Sequence, residues 1–274
     1  MNNDFLKYIK SRGFLHQCTN QDGIEEILKK TTSGYIGFDC TSDSLHAGSL
    51  LPLMLLRTFQ KFGHKPILLL GGGTTLVGDP SGKDETRKIL NEKDIKNNKK
   101  KLEKVFKKFL SFESSNSALL IDNYDWLINL KYINFLREIG SKFSVNKMMS
   151  LESIKQRLNR EQNLSFLEFN YSLLQAYDFL ELNRKNNCKI QFGGSDQWGN
   201  IVSGIDLIRK ITNEEVYGIT TPLITTSSGK KMGKTEEGAI WLSEDKLDVN
   251  SFWQYWRNTS DDDVINFLYL FTEL

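Results

Sequence analysis

Cysteine, histidine and proline are scarce in this chain, whose 274 residues contain three, three and four of them. Cys18, Cys40 and Cys188 form no CxxC pair, so the sequence predicts neither a zinc site nor a disulfide framework. The longest apolar run, near residues 50–56, is too short to span a bilayer, and the N-terminus lacks the apolar core of a secretory signal. We therefore expect no membrane partner, and a protein that is cytoplasmic or the mature form of an organellar one.

An excess of one charge is also lacking, because 36 basic residues are balanced by 34 acidic ones. The distribution is uneven, however: residues 83–108 contain 11 Lys or Arg and 5 Asp or Glu. One interpretation is the solvated face of a helix whose apolar side chains, between Leu102 and Leu110, pack inward. The other is a surface that helps to hold RNA or polyphosphate.

Apolar runs of strand length alternate with helical stretches, which is typical of an α/β fold with a doubly wound parallel sheet. Four runs are predicted strands, at residues 34–39, 65–70, 119–122 and 189–192. A helix is predicted over residues 49–62, where Gly63 ends it and Pro52 is tolerated only in the first turn. The sequence thus predicts a Rossmann-like domain over residues 1–225, with a helical insertion at about 124–183. Residues 226–246 are expected to form a loop and linker, and 247–274 the start of a helical region.

Three glycine-rich segments resemble motifs of other enzyme classes, but each lacks a residue that its motif requires. The segment Gly71–Leu76 lacks the last glycine of GxGxxG, and Val77 stands where a P-loop ending at Gly82-Lys83 would begin. The segment Gly193–Gln197 begins like a nucleophile elbow but ends in Gln. Hydride transfer, P-loop hydrolysis and serine hydrolysis are therefore disfavoured.

Polar side chains follow the predicted strands at their carboxyl ends, where open parallel sheets bind ligands. They are Tyr35 and Asp39, Asp79, Asn123, and Asp196 with Gln197. Three carboxylates there can fix an ammonium group and a ribose, although each residue is also common in turns and caps. A polar stripe in an otherwise apolar helix, Tyr171, Gln175 and Asp178, spans about 60° of arc and would line a pocket wall.

Two further motifs point to phosphate chemistry. His46 and Gly48 stand at the entrance of the helix at 49–62, and a helix N-terminus attracts phosphate. The glycine-broken cluster Lys230–Thr235 can add positive charge where a polyphosphate reacts. The two motifs resemble the HIGH and KMSKS signatures of class I aminoacyl-tRNA synthetases. With the Gly193–Asn200 block, which is highly specific, the chain is similar to bacterial-type tyrosyl-tRNA synthetases from near Phe5 to Leu274.

This resemblance implies a role for each matching residue. The implied tyrosine-binding residues are Tyr35 and Asp178 at the phenol, Asp79, Tyr171 and Gln175 at the ammonium group, and Asn123. The implied ATP- or adenylate-binding residues are Asp39, Gly48, Gly194, Asp196, Gln197, Lys83 and Arg87. The implied catalytic residues, at the departing phosphates, are Thr41, His46, Ser49, Lys231, Lys234 and Thr235. Arg209 and Lys210 are implied at the acceptor arm of the tRNA, and Phe166 at a dimer contact.

The resemblance also implies the activity. A class I synthetase core would activate L-tyrosine with ATP and Mg2+, hold no tightly bound cofactor or resident metal, and charge tRNA(Tyr) as a homodimer. Ser49 departs from the pattern because it replaces the second histidine of HIGH. The family continues into a helical anticodon-binding region, of which residues 247–274 are expected to be an incomplete start. Three rival functions are a tryptophanyl-tRNA synthetase, a small nucleotidyltransferase with an HxGH motif, and a non-enzymatic RNA-binding relative.

Overall fold

The structure is a computed structural model that describes residues 4–79, 90–161, 163–227, 229, 232–235 and 238–274, with the backbone alone at 234–235. A six-stranded sheet forms its centre. Its strands are β1 (Gln17–Cys18), β2 (Ser33–Asp39), β3 (Lys65–Gly71), β4 (Leu119–Asp122), β5 (Cys188–Gly194) and β6 (Tyr217–Thr221). A separate two-stranded hairpin consists of β7 (Lys234–Thr235) and β8 (Gly238–Ala239).

The spatial order of the sheet is β1-β6-β5-β2-β3-β4, and all neighbours are parallel except β1 with β6. The chain therefore winds outward from β2 in both directions, which confirms the predicted doubly wound sheet. Pairing between β2 and β5 ends at Tyr35 and Gln191, so the carboxyl ends of these two strands diverge. A ligand crevice is expected at this place, where the strand order reverses.

Thirteen helices of the described residues surround the sheet. They are α1 (Phe5–Ser11), α2 (Gln21–Ile27), α3 (Leu50–Lys61), α4 (Glu92–Phe106), α5 (Tyr124–Leu127), α6 (Tyr132–Glu138), α7 (Val145–Met149), α8 (Glu152–Asn159), α9 (Phe166–Phe169), α10 (Tyr171–Asn186), α11 (Trp198–Thr212), α12 (Val249–Arg257) and α13 (Asp261–Phe271). Helices α5 to α10 lie between β4 and β5, where the sequence predicts a helical insertion. No helix in the described part of the chain is both long and apolar enough to cross a membrane.

Helix α3 sets the position of the first motif. It begins one residue later than predicted, because residues Ala47–Ser49 form a 3-10 turn ahead of it. Pro52 falls in the first turn, and Gly63 follows the helix with a φ of +86°. Leu53, Leu56 and Phe59 are fully buried against the sheet, and burying each such side chain stabilises the fold by roughly 1.5–3 kcal/mol.

Helix α4, at Glu92–Phe106, lies within the basic window at residues 83–108. Its inward face buries Leu102, Val105 and Phe106, while Lys101 pairs with Asp43 on the outer side. This burial confirms the amphipathic helix that the apolar spacing predicts. A role of the basic face in holding RNA or polyphosphate stays a prediction.

Helices α12 and α13 pack against the rest of the molecule. Phe267 and Leu270 of α13 join the same hydrophobic core as α3. The guanidinium of Arg12 donates hydrogen bonds to main-chain oxygens of Leu268, Tyr269, Thr272 and Leu274 at 2.6–3.1 Å. The end of the chain thereby lies beside its beginning, and α12 and α13 lie beside the helix that carries the first motif.

Candidate active site

A cavity of about 600 Å³ opens in the crevice at the carboxyl ends of β2 and β5. Its wall includes every predicted tyrosine-binding residue and most of the predicted ATP-binding and catalytic ones. Those that line it are Tyr35, Asp39, Thr41, His46, Gly48, Ser49, Asp79, Asn123, Tyr171, Gln175, Asp178, Gly194, Asp196 and Gln197. Residues from five separate stretches of sequence are thus brought together by the topology of the sheet.

The deepest part of the cavity contains a phenol and a carboxylate. Tyr35 on β2 is 1% exposed and Asp178 on α10 is 2% exposed. The hydroxyl of Tyr35 has no hydrogen-bond partner among the described residues, although it is fully buried. Burial, and then the nearby charge of Asp178, raises the pKa of Tyr35 well above its ordinary value, so the phenol stays protonated. A buried polar atom without a partner costs free energy, which a ligand placed here would recover.

The carboxylate of Asp178 is held by two donors. The indole Nε1 of Trp126 donates to Oδ1 at 2.8 Å, and Nδ2 of Asn123 donates to Oδ2 at 2.9 Å. Burial raises the pKa of Asp178 to about 7, although both hydrogen bonds act to lower it. The balance leaves Asp178 able to titrate near neutral pH.

Asn123 has no capacity left for a ligand. Its Oδ1 accepts from the main-chain N–H groups of Gly73 and Thr74, and its Nδ2 donates to Thr74 Oγ1 as well as to Asp178. All four hydrogen bonds of the amide are therefore made within the protein. The geometry places Asn123 behind Asp178, as the residue that orients the carboxylate.

A second set of polar side chains in the cavity wall is connected by hydrogen bonds that begin at Gln175 on α10. Gln175 Nε2 donates to Gln197 Oε1 at 3.3 Å, and Gln197 Nε2 donates to Asp79 Oδ2 at 3.1 Å. The other amide oxygen, Oε1 of Gln175, is buried and has no partner in the described structure. The unpaired oxygen of Gln175 and the carboxylate of Asp79, connected through Gln197, are acceptors of the kind that a cation such as an ammonium group needs.

Sequence reasoning missed two residues of the site, Trp126, which contacts Asp178, and Gln191, which lines the cavity. Trp126 belongs to the quoted segment Asn123–Trp126, but nothing in a lone tryptophan signals that its N–H will meet Asp178. Gln191 lies on β5, is 2% exposed, and has an amide oxygen without a partner among the described residues. Its signal was available, because an amide between Ile190 and Phe192 in a predicted strand has no packing explanation.

The first motif presents a donor at the other end of the cavity. Nδ1 of His46 accepts a hydrogen bond from the main-chain N–H of Gly48 at 3.0 Å. In the neutral ring the proton then resides on Nε2, which makes that nitrogen the donor. The local backbone therefore selects the tautomer of His46 that can donate to an oxyanion.

The two motifs cross each other directly. A Cβ on Gly233 would lie 2.5 Å from the main-chain N of Gly48, and a Cβ on Gly48 would lie 2.8 Å from the carbonyl oxygen of Met232. Gly233 also has a φ of +81°, which favours glycine. Two main-chain hydrogen bonds join the segment around Ala47 to the segment that follows Gly233. They run from Ala47 N to Ile240 O (2.7 Å) and from Leu242 N to Leu45 O (2.8 Å).

The described wall of the cavity is acidic. It contains Asp39, Asp79, Asp178 and Asp196, and none of its described residues is Lys or Arg. Lys83, Arg87 and Lys231 lie outside the described residues, and only the backbone of Lys234 and Thr235 is described. Among the described residues, no group of three or more His, Cys, Asp or Glu is arranged to hold a metal ion. Such a wall suits an ammonium group and ribose hydroxyls, whereas phosphate needs cations from elsewhere.

Comparison with known proteins agrees with this geometry. A family model described as tRNA synthetases class I (W and Y) matches residues 28–274. The tyrosine–tRNA ligase of Pelagibacter ubique is 56% identical over 274 residues, covering 99% of this chain and 67% of that protein. That of Methylocella silvestris is 57% identical over 276 residues, covering 99% of this chain and 65% of the relative. This chain belongs to the tyrosyl-tRNA synthetases of class I. It spans about two thirds of the length of these curated relatives.

Solved structures of the family have the same fold. A C-terminally truncated mitochondrial tyrosyl-tRNA synthetase from Aspergillus nidulans is 30% identical, with a TM-score of 0.88 over 98% of this chain and 80% of that one. The tyrosyl-tRNA synthetase from Archaeoglobus fulgidus, solved in complex with L-tyrosine, is 15% identical with a TM-score of 0.70, over 94% of this chain and 75% of that one. The second likeness shows the fold alone, and both agree with the predicted Rossmann-like core of a class I synthetase.

Three residues that the synthetase resemblance singles out lie away from the cavity wall. Arg209 and Lys210 are exposed near the end of α11, roughly 16 Å along the helix from Trp198. There Arg209 pairs with Asp206, and Lys210 Nζ donates to the main-chain oxygen of Lys142. Phe166, at the start of α9, is 70% exposed. Their roles stay predictions.

Proposed function

We propose that this chain activates L-tyrosine with ATP, forming tyrosyl-adenylate and pyrophosphate, and then transfers the tyrosyl group to the 3′-terminal adenosine of tRNA(Tyr). The observation that carries the proposal is the buried, unpartnered hydroxyl of Tyr35 beside the carboxylate of Asp178. A phenol can donate to the carboxylate and accept from the hydroxyl at the same time. An indole offers a donor without an oxygen acceptor and a phenyl ring offers neither, so this pair favours tyrosine over tryptophan and phenylalanine.

The other polar groups of the wall suit the remainder of the amino acid. The ammonium group would lie between Asp79, Tyr171 and the free amide oxygen of Gln175. Asn123, which the sequence suggests as a direct ligand, instead positions Asp178, because its amide is fully hydrogen-bonded within the protein. Asp39, Gly194 and Asp196 would follow the adenylate toward the phosphate end.

Charge compensation at the phosphates comes from three sources in this proposal. His46 donates from Nε2, while Thr41 and Ser49 offer hydroxyl donors at the same end. Mg2+ would enter with ATP and be held mostly by phosphate and water. The remaining positive charge would come from residues of the family pattern, Lys83, Arg87, Lys231 and Lys234, and the hydroxyl of Thr235 would add a hydrogen-bond donor.

The reaction needs no protein nucleophile. A carboxylate oxygen of tyrosine attacks the α-phosphorus of ATP while the bond from that phosphorus to the pyrophosphate oxygen breaks. Positioning and charge stabilisation lower the barrier. A ribose hydroxyl of tRNA then attacks the carbonyl carbon of the adenylate, and AMP leaves. Arg209 and Lys210 would contact the acceptor arm in that second step.

ATP–pyrophosphate exchange with a panel of amino acids tests the proposal. We expect exchange with L-tyrosine, and at least about 30-fold less with phenylalanine, because two buried polar groups would lose their partner at about 1–3 kcal/mol each. Equal exchange with tryptophan or phenylalanine would refute it. Tyr35→Phe should reduce the preference for tyrosine without loss of folding, since its hydroxyl has no partner in the protein. Tyr217→Phe is the matched control, because that hydroxyl donates to Glu215, away from the cavity.

We also propose a homodimer that forms through the helical insertion. Half of the exposed large hydrophobic side chains among the described residues lie within this one segment. They are Ile128, Tyr132, Ile133, Val145, Met149, Leu158, Phe166 and Leu167. Sedimentation equilibrium should detect a dimer that Phe166→Arg weakens and Ile265→Arg, an equally exposed change on α13, leaves intact. A monomeric wild-type protein would contradict the proposed dimer.

A cytoplasmic location of the protein stays a prediction.

A further inference from the structure

The backbone that carries the lysine motif is attached to α12 and α13 at two points. Ser227 stands three residues before the motif begins, and it contacts Asp263 at the start of α13. Gly233 stands within the motif, and its main-chain N–H donates to the hydroxyl oxygen of Tyr255 on α12 at 3.4 Å. Gly233 is also the residue that crosses Gly48. The two helices therefore contact the chain just before the motif, at Ser227, and within it, at Gly233.

The contact at Asp263 is the stronger of the two. Its Oδ1 and Oδ2 both accept from the main-chain N–H of Ser227 at 3.0 Å, and Oδ2 also accepts from Ser227 Oγ at 3.0 Å. The residue is 8% exposed. A carboxylate is costly to bury unless donors surround it, and hydrogen bonds to a charged group are stronger than those between neutral groups.

The start of α13 alone does not explain this arrangement. Asp261, Asp262 and Asp263 all occupy the first turn, where negative charge interacts favourably with the helix dipole. Asp261 and Asp262 satisfy that preference while remaining exposed to solvent. Only Asp263 turns inward to bind the segment that leads into the motif.

We propose that Asp263 is a positioning residue for adenylate formation, acting through Ser227 to hold Met232 and Gly233 against His46 and Gly48. This inference rests on the proposed function. Groups that stabilise developing phosphate charge are effective only when they are held in place before the reaction. Tyrosine lies at the other end of the cavity, so losing Asp263 should impair the reaction and leave tyrosine binding intact.

The test compares Asp263→Asn with Asp262→Asn. Both changes remove one negative charge from the first turn of α13, but only the first replaces an acceptor of the Ser227 N–H by a donor. We expect the single-turnover rate constant of adenylate formation to fall on the order of 10-fold in Asp263→Asn and to stay within about twofold in Asp262→Asn. Equilibrium dialysis should give the same tyrosine affinity for both variants and the wild type.

Ser227→Ala provides a second, milder variant that keeps the main-chain N–H. It should lower the same rate constant by a smaller factor, and its effect should largely disappear in the Asp263→Asn background, because the two residues act as one contact. It also decides the matter if Asp263→Asn does not fold.

Equal rates in Asp263→Asn and Asp262→Asn would overturn the positioning role, as would an unchanged rate in Ser227→Ala. A parallel loss of tyrosine affinity and rate would overturn it too, since that indicates general loosening. If the wild type makes no tyrosyl-adenylate at all, it is the proposed function that fails.

Discussion

Trp126→Phe removes one of the two hydrogen bonds that lower the pKa of Asp178 and so stabilise its ionised form. The indole N–H donates to Asp178 Oδ1 at 2.8 Å, and both side chains are buried. A hydrogen bond to a charged group contributes about 1.5–3 kcal/mol, which corresponds to a rise of about 1 to 2 pH units in the pKa when it is lost. Since the pKa of Asp178 is about 7 in the intact protein, the variant should ionise only above about pH 8.

The consequence appears in the pH profile for tyrosine. The acid limb of kcat/KM reports groups that ionise in the free enzyme, so it should move upward by the same amount. For a shift of about 1.5 pH units, the ionised fraction at pH 7.5 falls about eightfold, and kcat/KM for tyrosine should fall with it. KM for ATP should not change, because the proposed function places ATP at the opposite end of the cavity.

Pyrophosphate exchange measured from pH 6 to pH 9.5 provides the assay, with Trp253→Phe, an exposed tryptophan on α12, as the control. An acid limb that stays in place in Trp126→Phe would refute the role given to the indole. A fall in kcat/KM that is uniform across all pH values would point to lost packing and not to lost ionisation.

Three further outcomes are expected. Between pH 4 and pH 8 the folded wild type keeps the Asp178 proton longer than the unfolded chain, so its free energy of unfolding should fall with rising pH by up to about 4 kcal/mol more than that of Asp178→Asn, as measured by urea unfolding. Gly233→Ala should slow adenylate formation far more than Gly229→Ala, because both positions have positive φ but only Gly233 has a backbone atom in the way; similar effects would show that strain alone matters. His46→Ala should lower the rate constant of adenylate formation by about 100-fold, the cost of about 3 kcal/mol for one lost transition-state donor, with tyrosine affinity unchanged; a variant whose defect lies mainly in tyrosine binding would contradict this.

Much of the site could be predicted because two local rules place its residues. Parallel strands bring their carboxyl ends to one edge, so Asp39, Asn123 and Asp196 converge although the sequence separates them widely. The helical period aligns Tyr171, Gln175 and Asp178 on one face of α10. The helix predicted around this stripe, over residues 166–182, is divided in the structure at Asn170, where the short helix α9 ends and α10 begins.

What could not be predicted depends on pairing between distant segments. The strand β1 has two residues and β6 reads Tyr-Gly-Ile-Thr-Thr, so neither presents the apolar run that identifies a strand. The Trp126 contact with Asp178 and the crossing of Gly48 with Gly233 leave no periodic trace, because each joins single atoms across the fold. The buried Asp263 looks, in sequence, like its exposed neighbours Asp261 and Asp262.

The two ends of the cavity are built in different ways, and this difference decides which perturbations can be separated. The proposed tyrosine end rests on β2 and α10, where Tyr35 and Asp178 are both buried and Asp178 is oriented by direct side-chain hydrogen bonds. The proposed phosphate end depends on backbone contacts between Gly48 and Gly233, and Gly233 and Ser227 are in turn bonded to α12 and α13. A substitution in α12 or α13 should therefore impair the reaction at the phosphates before it weakens tyrosine binding. A substitution at Trp126 should do the reverse.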